Sequence, residues 1–326
     1  MKLSRRRLLR VATGAVALPG FWSSARAQAY PARPVRVIVP FGPGGPTDVF
    51  ARLIAQKLSE QLGTQFYVEN IGGAGGNIGA GRAAQAAPDG YTILVDGANL
   101  VLNPALYPHV SYDPAKDFDP ITIAVSAPAI LTVHPTVAAQ TVKELVELIR
   151  ANPGKYSFAS PGTGTPPHLV GELFRLSLNL DLVHVPFNGG GLAISSAVAG
   201  HTPISFGSMA PAVPLVKEDK LRALAVSSKA RSQALPDVPT MTDAGFPEVE
   251  GESWFTMVVP AGTPKDVIAL LHREIVRAIA RPDMKERLAT LGYAPLATTP
   301  AEAAAQFSTE MAKWTKVIRA AGIKAQ

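Results

Sequence analysis

The chain has 326 residues, no cysteine, and 31 lysines and arginines against 25 acidic residues. Without cysteine there are no disulfide staples, thiolate metal sites, iron–sulfur clusters or cysteine nucleophiles. The basic excess does not indicate a nucleic-acid partner: Lys2, Arg5, Arg6, Arg7, Arg10 and Arg26 fall within residues 1–27, which hold no acid, and the rest of the chain balances at 25 against 25.

Residues 1–27 predict an export signal. Ser4-Arg5-Arg6-Arg7-Leu8-Leu9-Arg10 is a twin-arginine-like pattern, although general secretory signals also begin with arginines. The apolar stretch Val11 to Trp22 falls short of the roughly 20 residues a spanning helix needs. Ala25-Arg26-Ala27 predicts cleavage after Ala27 and a periplasmic protein that starts at Gln28. A mature chain of that size divides into two domains more readily than it builds one core.

Val35 to Val39 reads as a strand, followed by Pro40-Phe41-Gly42-Pro43-Gly44-Gly45-Pro46-Thr47-Asp48 and an amphipathic helix that runs to Gly63. Thr47 or Asp48 is its expected N-cap. A strand that stops in glycines and restarts as a helix leaves N–H groups unpaired beside the positive end of a helix dipole, which favours an anion. The loop has no Lys, Arg or His, so its donors are neutral.

The same grammar recurs at Phe66–Glu69 with loop 70–79, at Tyr156–Ala159 with loop 160–167, and at Leu182–Phe187 with loop 188–191. Two early and two central units predict two facing lobes that share one cleft. Gly79-x-Gly81-x-x-Ala84 mimics a dinucleotide fingerprint but lies inside a helix rather than in the turn after a strand. Tyr91–Val95 is a buried strand ending at Asp96-Gly97-Ala98-Asn99. Residues 104–120 are too rich in proline for continuous helix or central strand.

Ile121–Val125 and Ile130–Val133 read as strands around Ala127-Pro128, where the chain first crosses between lobes. Thr141 caps a helix to Arg150, and Ile204–Ser208 and Leu221–Val226 are further strands. Phe255–Val259 is the return crossing, preceded by Trp254, which reads equally as a cover over a ligand or as a core aromatic. From Thr263 the chain is helical, with a last helix from Pro300. None of the six histidines has metal-ligand spacing, and neither a nucleophile elbow nor a phosphate loop with its lysine is present, so no metal and no cofactor is expected.

Pro-Phe-x-Pro-Gly-Gly-x-x-Asp at 40–48, Asn-x-x-Gly-Ala-Gly-Gly-Asn-Ile-Gly at 70–79, Asp-Gly-Tyr-Thr at 89–92, Ser-Pro-Gly-x-Gly-Thr-x-x-His at 160–168 and His-Val-Pro-Phe at 184–187 occur in order. Together they resemble the Bug family, the extracytoplasmic solute receptors of tripartite tricarboxylate transporters, over essentially the whole chain after residue 28. Around Ser205 the family is often more acidic, and this chain has Ser205 and Ser208 instead.

The resemblance implies an α/β fold: a two-lobed periplasmic binding protein (type II-like) with a ligand cleft between the lobes and two crossing strands. Residues 28–125 together with 252–326 would form domain 1, and 126–251 domain 2. It implies a monomer that is not an enzyme, capturing a small carboxylate, such as a di- or tricarboxylate, for the membrane components of such a transporter. By resemblance, Phe41, Gly44, Gly45, Thr47 and Asp48 with Ala74, Gly75 and Asn77 would grip one carboxylate region. Ser160, Thr163 and Thr165, with Asn188, would close from the other lobe. Asp48 reads equally as a helix cap. An exported hydrolase on the same fold and a sensor presenting its ligand to a membrane kinase remain alternatives.

Overall fold

Strand β1 (Val35–Val39) sends Val35, Val37 and Val39 to one face of a sheet and Ile38 to the other, the period-two pattern of a strand covered on both sides. The computed structural model describes residues 30–187 and 189–324; the expected export signal and Asn188 lie outside the described residues. β2 (Phe66–Asn70) and β3 (Thr92–Gly97) run parallel to β1 on either side. With α1 (Pro46–Leu62), α2 (Asn77–Ala84) and α3 (Asn99–Leu106) they make the first lobe.

The second lobe repeats the pattern. β5 (Ser157–Ser160) lies parallel to both β6 (Val183–Pro186) and β7 (Ile204–Ser208), with α4 (Val142–Ala151), α5 (Pro166–Ser177), α6 (Gly190–Val198) and α7 (Met209–Lys217) around them. β4 (Phe118–Val133) and β9 (Glu252–Pro260) join the lobes. β4 pairs antiparallel with β9 from Phe118 to Pro128, then from Ala129 to Val133 with β7 and β8 (Arg222–Val226). The strand order is β2-β1-β3-β9-β4-β7-β5-β6. Parallel strands in both lobes therefore end towards the same crevice, where ligands bind in open α/β sheets.

The remaining elements are α8 (Lys265–Ala280), α9 (Pro282–Thr290), the two-residue β10 (Ala294–Pro295) and α10 (Pro300–Ala321). Among the described residues no helix is long and apolar enough to cross a membrane.

Several elements differ from the sequence reading. α3 forms across Pro104, and the Leu100 carbonyl that this proline leaves without its helical donor accepts the Tyr112 hydroxyl at 3.2 Å. β4 is one strand through Pro120 and Pro128, with a register shift beside Pro120. α1 starts earlier than expected, capped at Gly45 with Pro46 as its first residue, so neither Thr47 nor Asp48 is the cap.

Trp254 is a core residue. It is 0 % exposed and stacks on Phe307 of α10 with ring centroids 5.4 Å apart. α10 packs against both α3 and α5 and so spans the two lobes. Lys313 Nζ donates to the Glu250 carbonyl, and Trp314 lies so close to Gly251 that a Cβ there would meet it at 2.9 Å. The crossing strands are thus braced by one helix. Phe307→Ala is expected to lower the unfolding free energy by about 3–5 kcal/mol, and a change at exposed Lys316 by less than about 0.5 kcal/mol, both measured by urea unfolding.

Candidate binding site

A cavity of about 710 Å³ lies between the lobes, in the size range of small-molecule sites. Its wall is made where five helices begin: Gly45-Pro46-Thr47 at α1, Asn99 at α3, Thr165-Pro166-Pro167 at α5, Gly189-Gly190-Gly191 at α6 and Ser208-Met209-Ala210-Pro211 at α7. Each start presents the positive end of a dipole, and all but α5, which opens with Pro166 and Pro167, present N–H groups with no intrahelical partner.

None of the five has a side-chain cap, whereas α4 and α10, which begin elsewhere, are capped by Thr141 and Thr299. Local sequence explains this. Gly45, Ala98 and Gly189 have no side-chain acceptor, and Thr165 Oγ1 donates back to the Gly162 carbonyl at 2.7 Å. Ser208 faces Pro211 at the third helical position, where there is no N–H to cap. α2, α8 and α9 also lack side-chain caps, so what distinguishes the five is their convergence on one cavity.

No Asp, Glu, Lys, Arg or His is among the described residues that line the cavity. Thr47, Asn99, Ser208 and Ser253 are the polar lining residues whose side chains bond no described protein atom, and Thr47 is only 6 % exposed. Phe41, Ala127, Pro128, Phe255, Met209 and Leu291 supply apolar wall.

Of the residues expected from sequence, Phe41, Gly44, Gly45, Thr47 and Thr165 line the cavity. Asp48 does not; it buckles the first loop from behind. Its carboxylate accepts from Gly44 N–H at 2.8 Å, Arg52 Nε at 2.9 Å and Asn70 Nδ2 at 2.9 Å. Burial works to raise its pKa, but the bonds from Arg52, Gly44 and Asn70 outweigh that and hold it below the usual carboxylate value. Arg52 is thereby committed outside the cavity.

The second loop is also structural. Asn103 Nδ2 donates to the Gly75 carbonyl at 2.9 Å and to Asn77 Oδ1 at 2.8 Å, and Tyr107 packs on Gly75. Ala74, Gly75 and Asn77 therefore dock α3 rather than line the cavity. Thr163 is exposed and does not line it either.

Ser160 is fully buried, with Oγ 2.7 Å from His184 Nε2. The His184 ring stacks on that of His168 at 3.7 Å, and His168 Nδ1 accepts the Gly164 N–H at 2.9 Å. His168, Glu172 and His184 bring ligand-type atoms within 4.8 Å of one another, a grouping their sequence spacing does not announce. With His168 Nδ1 accepting, the proton of the neutral ring sits on Nε2, facing Glu172, and rings stacked face to face do not converge on an ion. The group supports the third glycine loop.

Asp96, directly before the cavity-lining Gly97, is buried; burial pushes its pKa up to about 8 against the single Gly97 N–H bond. Burial thus favours its neutral form beside the cavity. Sequence reasoning missed Asn99, Ser208, Ser253, Phe255, Leu291 and Tyr293. Asn99 and Ser208 follow strand ends that open helices, a signal present in the sequence without the glycine-rich loop that draws notice.

The lobes touch through glycines. At Gly292, with φ +73°, a Cβ would come within 2.7 Å of Met209 Cβ, and at Gly164, with φ +76°, within 2.8 Å of Leu106 Cδ1. Each pair joins one lobe to the other beside the cavity.

Residues 50–323 match the tripartite tricarboxylate transporter family receptor. The chain belongs to that family. Three solved structures are similar to this receptor. Periplasmic binding protein BugD is 34% identical with a TM-score of 0.78, covering 91% of this chain and 100% of that one. Rpa4515 of R. palustris with adipate is 31% identical with a TM-score of 0.81, covering 90% and 99%. MatC from Rhodopseudomonas palustris with bound malate is 32% identical with a TM-score of 0.75, covering 89% and 100%. The two-lobed periplasmic-binding fold expected from the motifs is thus the fold of this receptor.

Burial, and then the neighbouring His168, push the pKa of His184 down from 6.5 to about 4. The unfolded chain therefore binds this proton more readily, so the contribution of neutral His184 is full above pH 6.5 and is lost as the pH falls towards 4. The melting temperature of His184→Gln is expected to fall less steeply than wild type between those two values.

Proposed function

We propose that the protein captures a small carboxylate in the periplasm and presents it to the membrane components of a tripartite tricarboxylate transporter. The observation that carries this reading is the convergence of five uncapped helix starts on a cavity with no ionised lining residue. Each start carries roughly half a positive charge, so together they balance one or two carboxylates without a cation. The adipate- and malate-bound relatives, both members of the same fold at about a third identity, support a carboxylate ligand.

In this reading residues 1–27 are a signal cleaved after Ala27. The lobes divide near residues 125/126 and 251/252 in this reading; β4 changes partner from β9 to β7 after Pro128 and β9 begins at Glu252, a few residues from each division. Solute bound between the lobes favours their closure about β4 and β9, with contacts such as Gly292–Met209 completing the closed form that a membrane partner reads.

A hydrolase would need a serine–histidine pair, and Ser160 and His184 form one. Ser160 is 0 % exposed and does not line the cavity, so a substrate held there does not reach it. The binding reading is preferred, as a receptor and not an enzyme.

The test is thermal unfolding against a panel of mono-, di- and tricarboxylates, amino acids, nucleotides and carboxylate esters. A ligand at 100 times its dissociation constant stabilises by about 2.7 kcal/mol, an upward shift of roughly 5 °C. A shift confined to carboxylates is expected. No shift with any carboxylate, or ester turnover lost in Ser160→Ala, would overturn the receptor reading.

A further inference from the structure

We propose that Asp96 sets the affinity of the cavity from behind its wall: an anion is held tightly only while this carboxyl is neutral, so capture at alkaline pH draws a proton from the buffer onto Asp96. The inference rests on the carboxylate reading above and adds to it a residue outside the cavity lining.

The position follows from the sheet. β3 ends at the crevice, and its alternation sends Ile93 and Val95 to the face covered by α1, and Leu94 to the face covered by α2 and α3. Asp96 falls on the second face, 1 % exposed and opposite Thr256 of β9. Among the described residues it accepts one hydrogen bond, from the Gly97 N–H at 2.7 Å. Gly97 and Asn99, which follow it, line the cavity. One glycine, with no side chain of its own, is the partition between this carboxyl and the solute.

A buried carboxylate stays ionised when a cation or several donors hold it. The neighbours of Asp96 are engaged elsewhere. Thr256 Oγ1 donates to the Thr122 carbonyl at 2.8 Å, Asn103 Nδ2 to Gly75 and Asn77, and the Tyr112 hydroxyl to the Leu100 carbonyl. Tyr112 is the titratable group that senses Asp96; burial first, and Asp96 second, raise its pKa. Arg36 of β1 shares this face but lies opposite Thr92, at the far end of β3, where it bonds Thr92 and Glu69. Arg82 of α2 is exposed, and α1, on the other face, pairs Asp48 with Arg52 and Lys57 with Glu60. Burial therefore goes unopposed by any cation and pushes Asp96 up to about 8. Once ionised, it faces an anion in the cavity across Gly97. At an effective dielectric near 20, two unit charges about 12 Å apart weaken affinity about tenfold.

The experiment is titration calorimetry with adipate and with malate between pH 6.5 and 9, where the carboxyls of both acids stay ionised. Wild type is expected to bind about fivefold more weakly at pH 9 than at pH 6.5. Near pH 8.5 it should take up roughly half a proton on binding, read from the difference in heat between two buffers of unlike ionisation enthalpy. Asp96→Asn keeps an acceptor for the Gly97 N–H and loses the charge; it is expected to bind at every pH within about twofold of wild type at pH 6.5. Tyr112→Phe should keep the wild-type slope. A wild-type affinity that is flat with pH, a slope that survives in Asp96→Asn, or one lost in Tyr112→Phe would contradict the proposal and leave the carboxylate reading standing. The proton uptake is measured on wild type alone, so its absence sinks the proposal even where Asp96→Asn does not fold. Binding of neither acid by wild type at any pH would defeat the carboxylate reading itself.

Discussion

The unpaired N–H groups at the starts of α1, α3, α6 and α7 are the constraint around which both lobes are arranged. A buried donor without a partner costs free energy comparable to a lost hydrogen bond. Elsewhere the chain meets that cost locally: Thr141 accepts from Glu144 N–H, and Thr299 and Glu302 form a reciprocal capping box. At the cavity it uses Gly45, Ala98, Gly189 and a serine followed by Pro211, so the donors are left for whatever enters. The proposed affinity for an anion rests on these helices being left unfinished.

Such a site depends on the loops keeping their shape without a ligand. Asp48 ties Gly44 to Arg52 and Asn70, the Asn77–Asn103–Tyr112 contacts fix α3 against the second loop, and the stacked His168 and His184 stand behind the third. Polar side chains that looked available for ligand are consumed in pre-organising the wall. The same division holds between lobes. β4 and β9 carry the crossing, α10 braces it through Phe307 and Trp314, and close contacts of Gly164 with Leu106 and of Gly292 with Met209 bring the lobes together. Small residues there let the lobes meet, and in the proposed closure the two strands under one helix would serve as the hinge.

The parts of this arrangement that are local in sequence were legible. Alternating valines gave β1, the glycine run gave the loop at 41–47, and four repeats of strand, loop and helix gave two lobes. What was not legible depends on contacts made far along the chain. A glycine that lets a backbone approach a ligand and one that lets it approach Tyr107 have the same sequence, so the contact of Gly75 with Tyr107 was not legible. Trp254 was undecided until Phe307, 53 positions later, covered it. Pro104 and the prolines at 211 and 214 hid α3 and α7, and with them Asn99 and Ser208, because proline argues against helix unless its freed carbonyl finds another donor, as Leu100 finds Tyr112.

A crystal structure of the protein with a bound carboxylate tests the central claim most directly. The account predicts carboxylate oxygens within about 3 Å of backbone N–H groups and hydroxyls at the starts of these helices, with no Lys or Arg side chain in contact. A carboxylate paired to an arginine, such as Arg52 swung away from Asp48, would contradict it.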